Sequence, residues 1–345
     1  MKIIKRTILF FSLLLVYVIA KEFLVLYNQA AALDPIWGYA IILLALIFSG
    51  YFIILPAIRI WRLPQNIPPA KNINGENDVI EKRLKNFQNN PYLQKIAFNF
   101  AEISDDKAGY DKIVQNLSKE SDRLRRRDVS QLFYSTSLAQ NGFLDAIFIL
   151  SASVNHVKSI FLLYNGRVNN RDLWKIAKNV YYSMAIGGSE GVEYATDEIV
   201  SKFASDAIKG IPFIDKILAS LADGLVNAIL LTRISYITEN YCRLTYIEKR
   251  SDLTPSANFV VNSARNITSD ILEKIYTSMR KIAVDKTVNF AQIAINPVGY
   301  VWGKAIENND NLDLEQKNRR KEHAKIIGNP VAYGVGRLFS AMRRK

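Results

Sequence analysis

Residues 8–27 (ILFFSLLLVYVIAKEFLVLY) and 36–58 (IWGYAIILLALIFSGYFIILPAI) decide the fold of this chain. Each stretch is long enough to cross a hydrocarbon core of about 30 Å as an α-helix. The connector between them contains Asn28, Gln29, Asp34 and Pro35, which favour a turn outside lipid. Because backbone groups in lipid must be hydrogen-bonded within the protein, the two stretches predict a transmembrane helix hairpin over residues 1–62.

The flanking charges predict the orientation of this hairpin. Lys2, Lys5 and Arg6 precede the first stretch, Arg59 and Arg62 follow the second, and the connector contains no lysine or arginine. Because basic residues are enriched in cytoplasmic flanks, we expect both ends of the chain in the cytoplasm.

Two alternatives remain open for the first stretch. Residues 1–20 also fit a cleaved signal peptide, with Val18-Ile19-Ala20 before the cleavage point, although apolar residues resume after Glu22. Lys21 and Glu22 interrupt the stretch. Their charges either pair with each other or lie along an ion path, as ionisable groups in membrane helices often do.

The rest of the chain predicts an all-α fold, because helical periodicity recurs and sustained two-residue alternation does not. Residues 63–78 (LPQNIPPAKNINGEND) have the composition of a linker. Residues 79–295 predict a cytoplasmic, partly membrane-associated helical domain, and residues 296–345 a basic tail rich in glycine and aromatic residues.

The segment 142–167 (GFLDAIFILSASVNHVKSIFLLYNGR) is the most apolar after the hairpin. It predicts a helix surrounded by protein, with Asp145 and His156 on a narrow polar stripe. A third membrane span over residues 143–163 is the alternative, which would place these polar groups in lipid at a cost.

Small residues recur every fourth position in the helix predicted after Pro212. They are Ser220, Gly224, Ala228 and Thr232. Such a stripe forms a groove that allows another helix to approach closely.

The sequence contains none of the common catalytic motifs, so it does not indicate a reaction. The sequence has no Walker A, HExxH or GxSxG motif and no pair of cysteines, since Cys242 is the only one. Two histidines, His156 and His323, exclude most histidine-based metal sites. We see no recognisable nucleophile–base pair and therefore expect a protein that is not an enzyme, with neither cofactor nor metal.

The net charge of +13 indicates an acidic partner. The segment from Arg280 to Lys345 contains thirteen lysines and arginines and six acidic residues, so it has an excess of seven positive charges. Anionic membrane lipid is the expected partner, and the absence of a recognition motif makes nucleic acid unlikely. Tail segments 296–304 (NPVGYVWGK) and 329–337 (NPVAYGVGR) are similar and predict docking on the membrane or on the domain itself.

The hairpin, followed by GFLDA…HVKSIFLLYNGR, RDLWKIAKNVYY and GIPFIDKI…ADGLVNAILLTRISYITENYCR, resembles the YcjF-like bacterial inner-membrane proteins. The resemblance extends to about Pro255 and does not cover the basic tail. It implies a multi-pass inner-membrane protein of a domain family of unknown function, associated with Ras-like GTPases and with stress-related operons.

Two classes of function follow from these features. The first is a non-catalytic membrane anchor or regulator, recruiting a cytoplasmic GTPase in envelope stress. The second is an oligomeric transport or channel component, with Lys21, Glu22, Asp145 and His156 along a polar path. The oligomeric state and the partner itself are left open.

Overall fold

The computed structural model describes residues 34–137, 142–169, 187–203, 214–284, 297–307 and 313–319, together with a few single residues elsewhere. These residues are mostly helical, and no β-strand occurs among them. The all-α expectation is therefore confirmed for the described chain.

The helical order begins with α1 (Pro35–Ser49), a π-helical turn (Gly50–Ile54) and α2 (Leu55–Arg62), which follow one another without a gap. We call this continuous run the 35–62 helix. Asp34 begins it by accepting a hydrogen bond from the Ile36 amide at 2.8 Å, and Pro35 occupies the first turn, where its missing N–H costs nothing. The π turn ends two residues before Pro56, which has no N–H to donate in the regular helical hydrogen-bond pattern.

The remaining helices form the domain. They are α3 (Glu76–Phe87), α4 (Pro91–Lys95), α5 (Lys107–Thr136), α6 (Gly142–Leu163), α7 (Gly187–Phe203), α8 (Ile214–Arg243), α9 (Ala257–Val284) and α10 (Pro297–Glu307). Short 3₁₀ turns lie at Ile73–Gly75, Phe100–Glu102 and Arg250–Leu253.

Helices α5, α6 and α8 form the centre of the domain. Side-chain hydrogen bonds show that α8 runs antiparallel to α5, since Ser220 binds Ser137 and Glu239 binds Arg125. The same helix runs parallel to α6, since Ser235 binds His156 and Glu239 binds Tyr164. Of the described residues, only α8 is a continuous α-helix long and apolar enough to cross a membrane, but 67% of its apolar window is buried inside the protein. A core helix passes the same test.

The first part of the predicted tail packs on this domain. In α10, Trp302 is buried, donates its indole N–H to the Ser137 carbonyl at 3.3 Å and packs edge-on against Tyr134 at 4.7 Å between ring centroids. Val301 and Ile306 are buried beside it. Residues 297–304 of the first copy thus dock on the domain, and the copy at 329–337 lies outside the described residues.

Residues 63–70 connect the 35–62 helix to the domain, and we call them the strap. They lie within the predicted linker but form backbone hydrogen bonds at both ends, at Asn66 with Arg167 and at Ala70 with Thr245 and Ile247. The buried Arg83 side chain donates twice to the Ile67 carbonyl, at 2.8 and 3.1 Å. The composition of the segment gave no indication of these contacts, because their acceptors and donors are mainly backbone groups.

The strap also passes close to Gly166, which follows the end of α6 with φ of +143°. A Cβ at this position would lie 2.6 Å from the Pro64 carbonyl oxygen, which is backbone and cannot rotate away. Gly166 is therefore required both for its backbone conformation and for the approach of the strap.

We expect Gly166→Ala to lower the free energy of unfolding by about 2 kcal/mol, because alanine is strained at this φ and displaces the strap. Thermal unfolding of the detergent-purified protein measures the loss, and proteolysis within residues 63–70 should become faster. Gly303→Ala is the control, since nothing lies within 4 Å of an added Cβ there. Equal stability of the two variants would show that the strap does not need glycine.

Candidate functional site

A layer of buried polar side chains divides the core of the domain into two hydrophobic clusters. One cluster contains Phe133 and Leu225, and the other contains Leu117 and Tyr241. The side chains between them, which we call the polar layer, come from three helices. They are Arg125 and Asp128 of α5, His156 of α6, and Ser235 and Glu239 of α8.

Arg125 is the centre of the polar layer. Its guanidinium donates to Glu239 through one terminal nitrogen, to Asp122 at 3.0 Å through the other, and to Ser235 Oγ at 2.9 Å through Nε. The guanidinium carbon also lies 3.7 Å from the centre of the Tyr236 ring. Each of the three guanidinium nitrogens therefore donates a hydrogen bond, and two carboxylates compensate the buried positive charge.

His156 is held from both sides of its ring. Nδ1 lies 2.8 Å from Asp128 Oδ2, and Nε2 lies 2.7 Å from Ser235 Oγ. Because Arg125 already donates to Ser235 Oγ, the serine hydroxyl is free to donate to Nε2. The neutral tautomer with its proton on Nδ1 therefore satisfies every bond in this chain of contacts.

Asp128 links the polar layer to the surface. Burial raises the pKa of its carboxyl, but hydrogen bonds from His156 and Arg127 lower the pKa more, so that it lies below the ordinary value. Asp128 also lines a cleft of 410 Å³ between α5 and α6. The other lining residues are Arg127, Gln131, Leu132, Ser135, Phe148, Ser151, Ala152, Asn155 and Ser159.

Tyr164 extends the polar layer at its other side. Its hydroxyl donates to Glu239 Oε1 at 3.3 Å and lies 3.2 Å from Ser118 Oγ. Burial, together with the nearby charge of Glu239, raises the pKa of Tyr164 well above the ordinary value for tyrosine. Tyr164 therefore acts as a neutral hydrogen-bond donor to the glutamate.

The contacts Asp128–His156–Ser235 have the order and distances of a serine-hydrolase triad. Sequence analysis did not identify the contact between Ser235 and His156, because the two residues lie 79 positions apart along the chain. However, Ser235 and His156 are completely buried, and Ser235 lies in the middle of α8, whose backbone amides are used within the helix. In the described structure, these buried contacts join α5, α6 and α8.

The predicted groove lies on α8, and all four of its residues are buried. They are Ser220, Gly224, Ala228 and Thr232. At Gly224, an added Cβ would lie 1.9 Å from Ser137 Oγ and 3.1 Å from the Phe133 carbonyl oxygen. Ser220 Oγ donates to the Ser137 carbonyl at 2.6 Å. The structure therefore places the end of α5 against this groove.

The residues of the predicted polar path are not brought together among the described side chains. Lys21 is exposed, and Glu22 lies outside the described residues. Asp145 is part of α6, but its side chain is not described. His156 belongs to the polar layer, where its partners are Asp128 and Ser235.

Sequence analysis did not single out Arg125, which lies in the run RLRRRD with Arg123, Arg126 and Arg127. The side chains of these three neighbours are more than half exposed and paired with acidic residues. Arg125 instead shares the buried face of α5 with Leu117, Ser121 and Val129. This four-residue spacing was the signal that could have identified it.

A comparison with protein-family models, curated proteins and solved structures finds no match to this chain. Among the described residues, no group of three or more His, Cys, Asp or Glu side chains could hold a metal ion.

Proposed function

We propose that this chain is a non-catalytic integral membrane protein, in which an N-terminal hairpin anchors a helical domain at the cytoplasmic face of the membrane. The observation that supports this proposal is the exposure of large apolar side chains along the 35–62 helix. They are Ile36, Tyr39, Ile42, Leu43, Leu46, Ile47, Tyr51, Ile54, Leu55, Ile58 and Trp61.

The size of this apolar surface favours lipid over water. At 1.5 Å per residue, the helix is about 42 Å long, compared with about 30 Å for a hydrocarbon core. Soluble monomers rarely expose continuous apolar patches larger than a few hundred Å². A helix exposed along this length needs a hydrophobic partner, and a bilayer of about 40–45 Å, counted with its headgroup layers, has a similar thickness.

The contacts at the start of α1 support a hairpin. An added Cβ at Gly38 would lie 2.7 Å from Tyr27 Cε2 and 3.1 Å from Ala31 Cβ. The rings of Tyr27 and Tyr39 meet edge to face at 6.1 Å. Tyr27 and Ala31 therefore lie beside the first turns of α1, as the end of the first helix of a hairpin would.

The domain is suited to act as a regulator by binding a partner, because Ser235 and His156 of its polar layer are fully buried. The resemblance stated above implies a cytoplasmic Ras-like GTPase as that partner. Crosslinking in cells, followed by mass spectrometry, tests this part of the proposal. Recovery of a GTPase in its guanine-nucleotide-bound form would support it, and crosslinks to lipid and to this chain alone would contradict it.

The topology itself is tested with single cysteines at Asn28 and Asn74 in a Cys242→Ser background. We expect an impermeant thiol reagent added to intact cells to label residue 28 and to leave residue 74 unlabelled, because the connector faces outward and the domain inward. The unmodified chain controls for background, which should be low: Cys242 is buried, and burial raises the pKa of its thiol to about 12. Labelling of both positions from outside would contradict the proposed topology.

A further inference from the structure

The last two turns of the 35–62 helix pack directly on α6. Pro56 and Ile60 are buried in this contact region, and Ile60 belongs to the same hydrophobic cluster as Ile160 and Phe161. The end of α2 is fixed by Arg167, whose Nε donates to the Trp61 carbonyl at 3.2 Å. The C-terminal end of α6 therefore lies next to the C-terminal end of α2.

Two hydrogen bonds of Asn66 also hold the ends of α2 and α6 together. Asn66 Nδ2 donates to the Tyr164 carbonyl at 3.0 Å, and the Asn66 amide donates to the Arg167 carbonyl at 2.7 Å. The residues that follow α2 thus lie against the residues that follow α6. The C-terminal ends of α2 and α6 therefore lie side by side.

If the 35–62 helix crosses the bilayer, its length places the ends of α2 and α6 in the lipid headgroup layer. Trp61 follows Ile58, the end of the predicted span, by three residues, or about 4.5 Å of helix. The headgroup layer on each side of the hydrocarbon core is about 5–8 Å thick. Trp61 is 52% exposed and Leu162 of α6 is 51% exposed, so two large apolar side chains face outward at this height.

The basic residues at the same place have no acidic partner. Arg59 and Arg62 are exposed in the last turn of α2, and neither forms an ion pair within the described part of the chain. Exposed arginines of α5 differ in this respect, since Arg123 pairs with Glu120 and Arg126 pairs with Asp122. Aromatic, aliphatic and unpaired basic groups together are typical of a surface that meets anionic headgroups.

We propose that the junction of α2 and α6 is a second membrane contact, in which Trp61 and Leu162 lie in the headgroup layer and Arg59 and Arg62 bind phosphates of anionic phospholipids. This inference rests on the proposed function, because it requires the 35–62 helix to cross the bilayer. It adds that the domain is held against the end of the membrane helix and does not extend into the cytoplasm on a free linker. The hydrogen-bonded strap is consistent with such a fixed position.

The depth of the junction is tested with single cysteines that carry a polarity-sensitive fluorophore, in the full chain reconstituted into vesicles. Leu162→Cys reports the junction, and Leu43→Cys in α1 is the positive control. Ile73→Cys is the matched negative control, since Ile73 is 55% exposed but lies beyond the strap. With nitroxide-labelled lipid, we expect at least twofold quenching at positions 43 and 162 and less than 20% quenching at position 73.

The outcomes separate this inference from the proposed function. Quenching at position 43 without quenching at position 162 would overturn the second contact and leave the anchor intact. Loss of quenching at position 43 would overturn the anchor itself, and the inference with it.

The lipid preference is tested with the same Leu162 probe. We expect nitroxide on the headgroup of phosphatidylglycerol to quench it about twice as strongly as nitroxide on phosphatidylcholine, with the difference falling as salt rises. Arg59→Gln combined with Arg62→Gln should remove the difference. Arg123→Gln combined with Arg126→Gln should keep it, because those arginines are already paired. Equal quenching by both lipids in the unmodified chain would overturn the role of anionic lipid.

Discussion

Arg125→Met is expected to lower the free energy of unfolding by about 3–5 kcal/mol, because it leaves the buried carboxylate of Glu239 without its charge partner. Tyr164 would then be the remaining hydrogen-bond donor to that carboxylate among the contacts described above. Ser235 Oγ also loses the donor that fixes the tautomer of His156. Denaturant unfolding of the detergent-purified protein measures the loss.

Arg126→Met is the matched control for this prediction. Arg126 is the next residue and also pairs with a carboxylate, Asp122, but its side chain is 59% exposed. Surface ion pairs contribute about 0–1 kcal/mol, so the control should lose less than that. Adding Glu239→Gln to Arg125→Met should restore part of the stability by removing the buried charge. Similar losses for the two arginine variants would show that the polar layer does not carry a buried ion pair.

Gly224→Leu is expected to lower the free energy of unfolding by about 3 kcal/mol, the upper part of the range for overpacking a core. A leucine side chain at this position would enter the space of Ser137 and of the Phe133 carbonyl at the end of α5. Lower abundance and faster proteolysis in cells should accompany the loss measured by thermal unfolding.

Gly224→Ala tests the same contact more finely. On sequence grounds, alanine would be neutral or stabilising at an exposed helical position. In the structure its Cβ meets Ser137 Oγ, a buried hydroxyl without a hydrogen-bond partner among the described residues. We therefore expect Gly224→Ala to be destabilising alone and largely restored by Ser137→Gly, which removes the obstructing side chain. Normal stability for Gly224→Leu would mean that α5 does not pack in the groove.

Helical periodicity was enough to predict the class of fold and the position of several helices. The segment 142–167 was predicted as a helix surrounded by protein, and α6 does contribute Ile149, His156, Val157, Ile160 and Phe161 to the buried interior, but Leu162 is half exposed. The stripe of small residues was visible because Ser220, Gly224, Ala228 and Thr232 are separated by one helical turn each. These features depend on neighbours along the chain, which the sequence displays directly.

The sequence alone thus determined the apolar stretch at 36–58, the helical class and the polar stripe that contains His156. Only the tertiary structure decided that Arg125 is buried while Arg126 is exposed, and that residues 63–70 are fixed to the domain. The physical reason is the distance along the chain between partners: Ser235 and Glu239 lie 110 and 114 residues after Arg125. A charge is buried only where its partner is already in place, and no local pattern in α5 shows which residues of α8 will lie beside it.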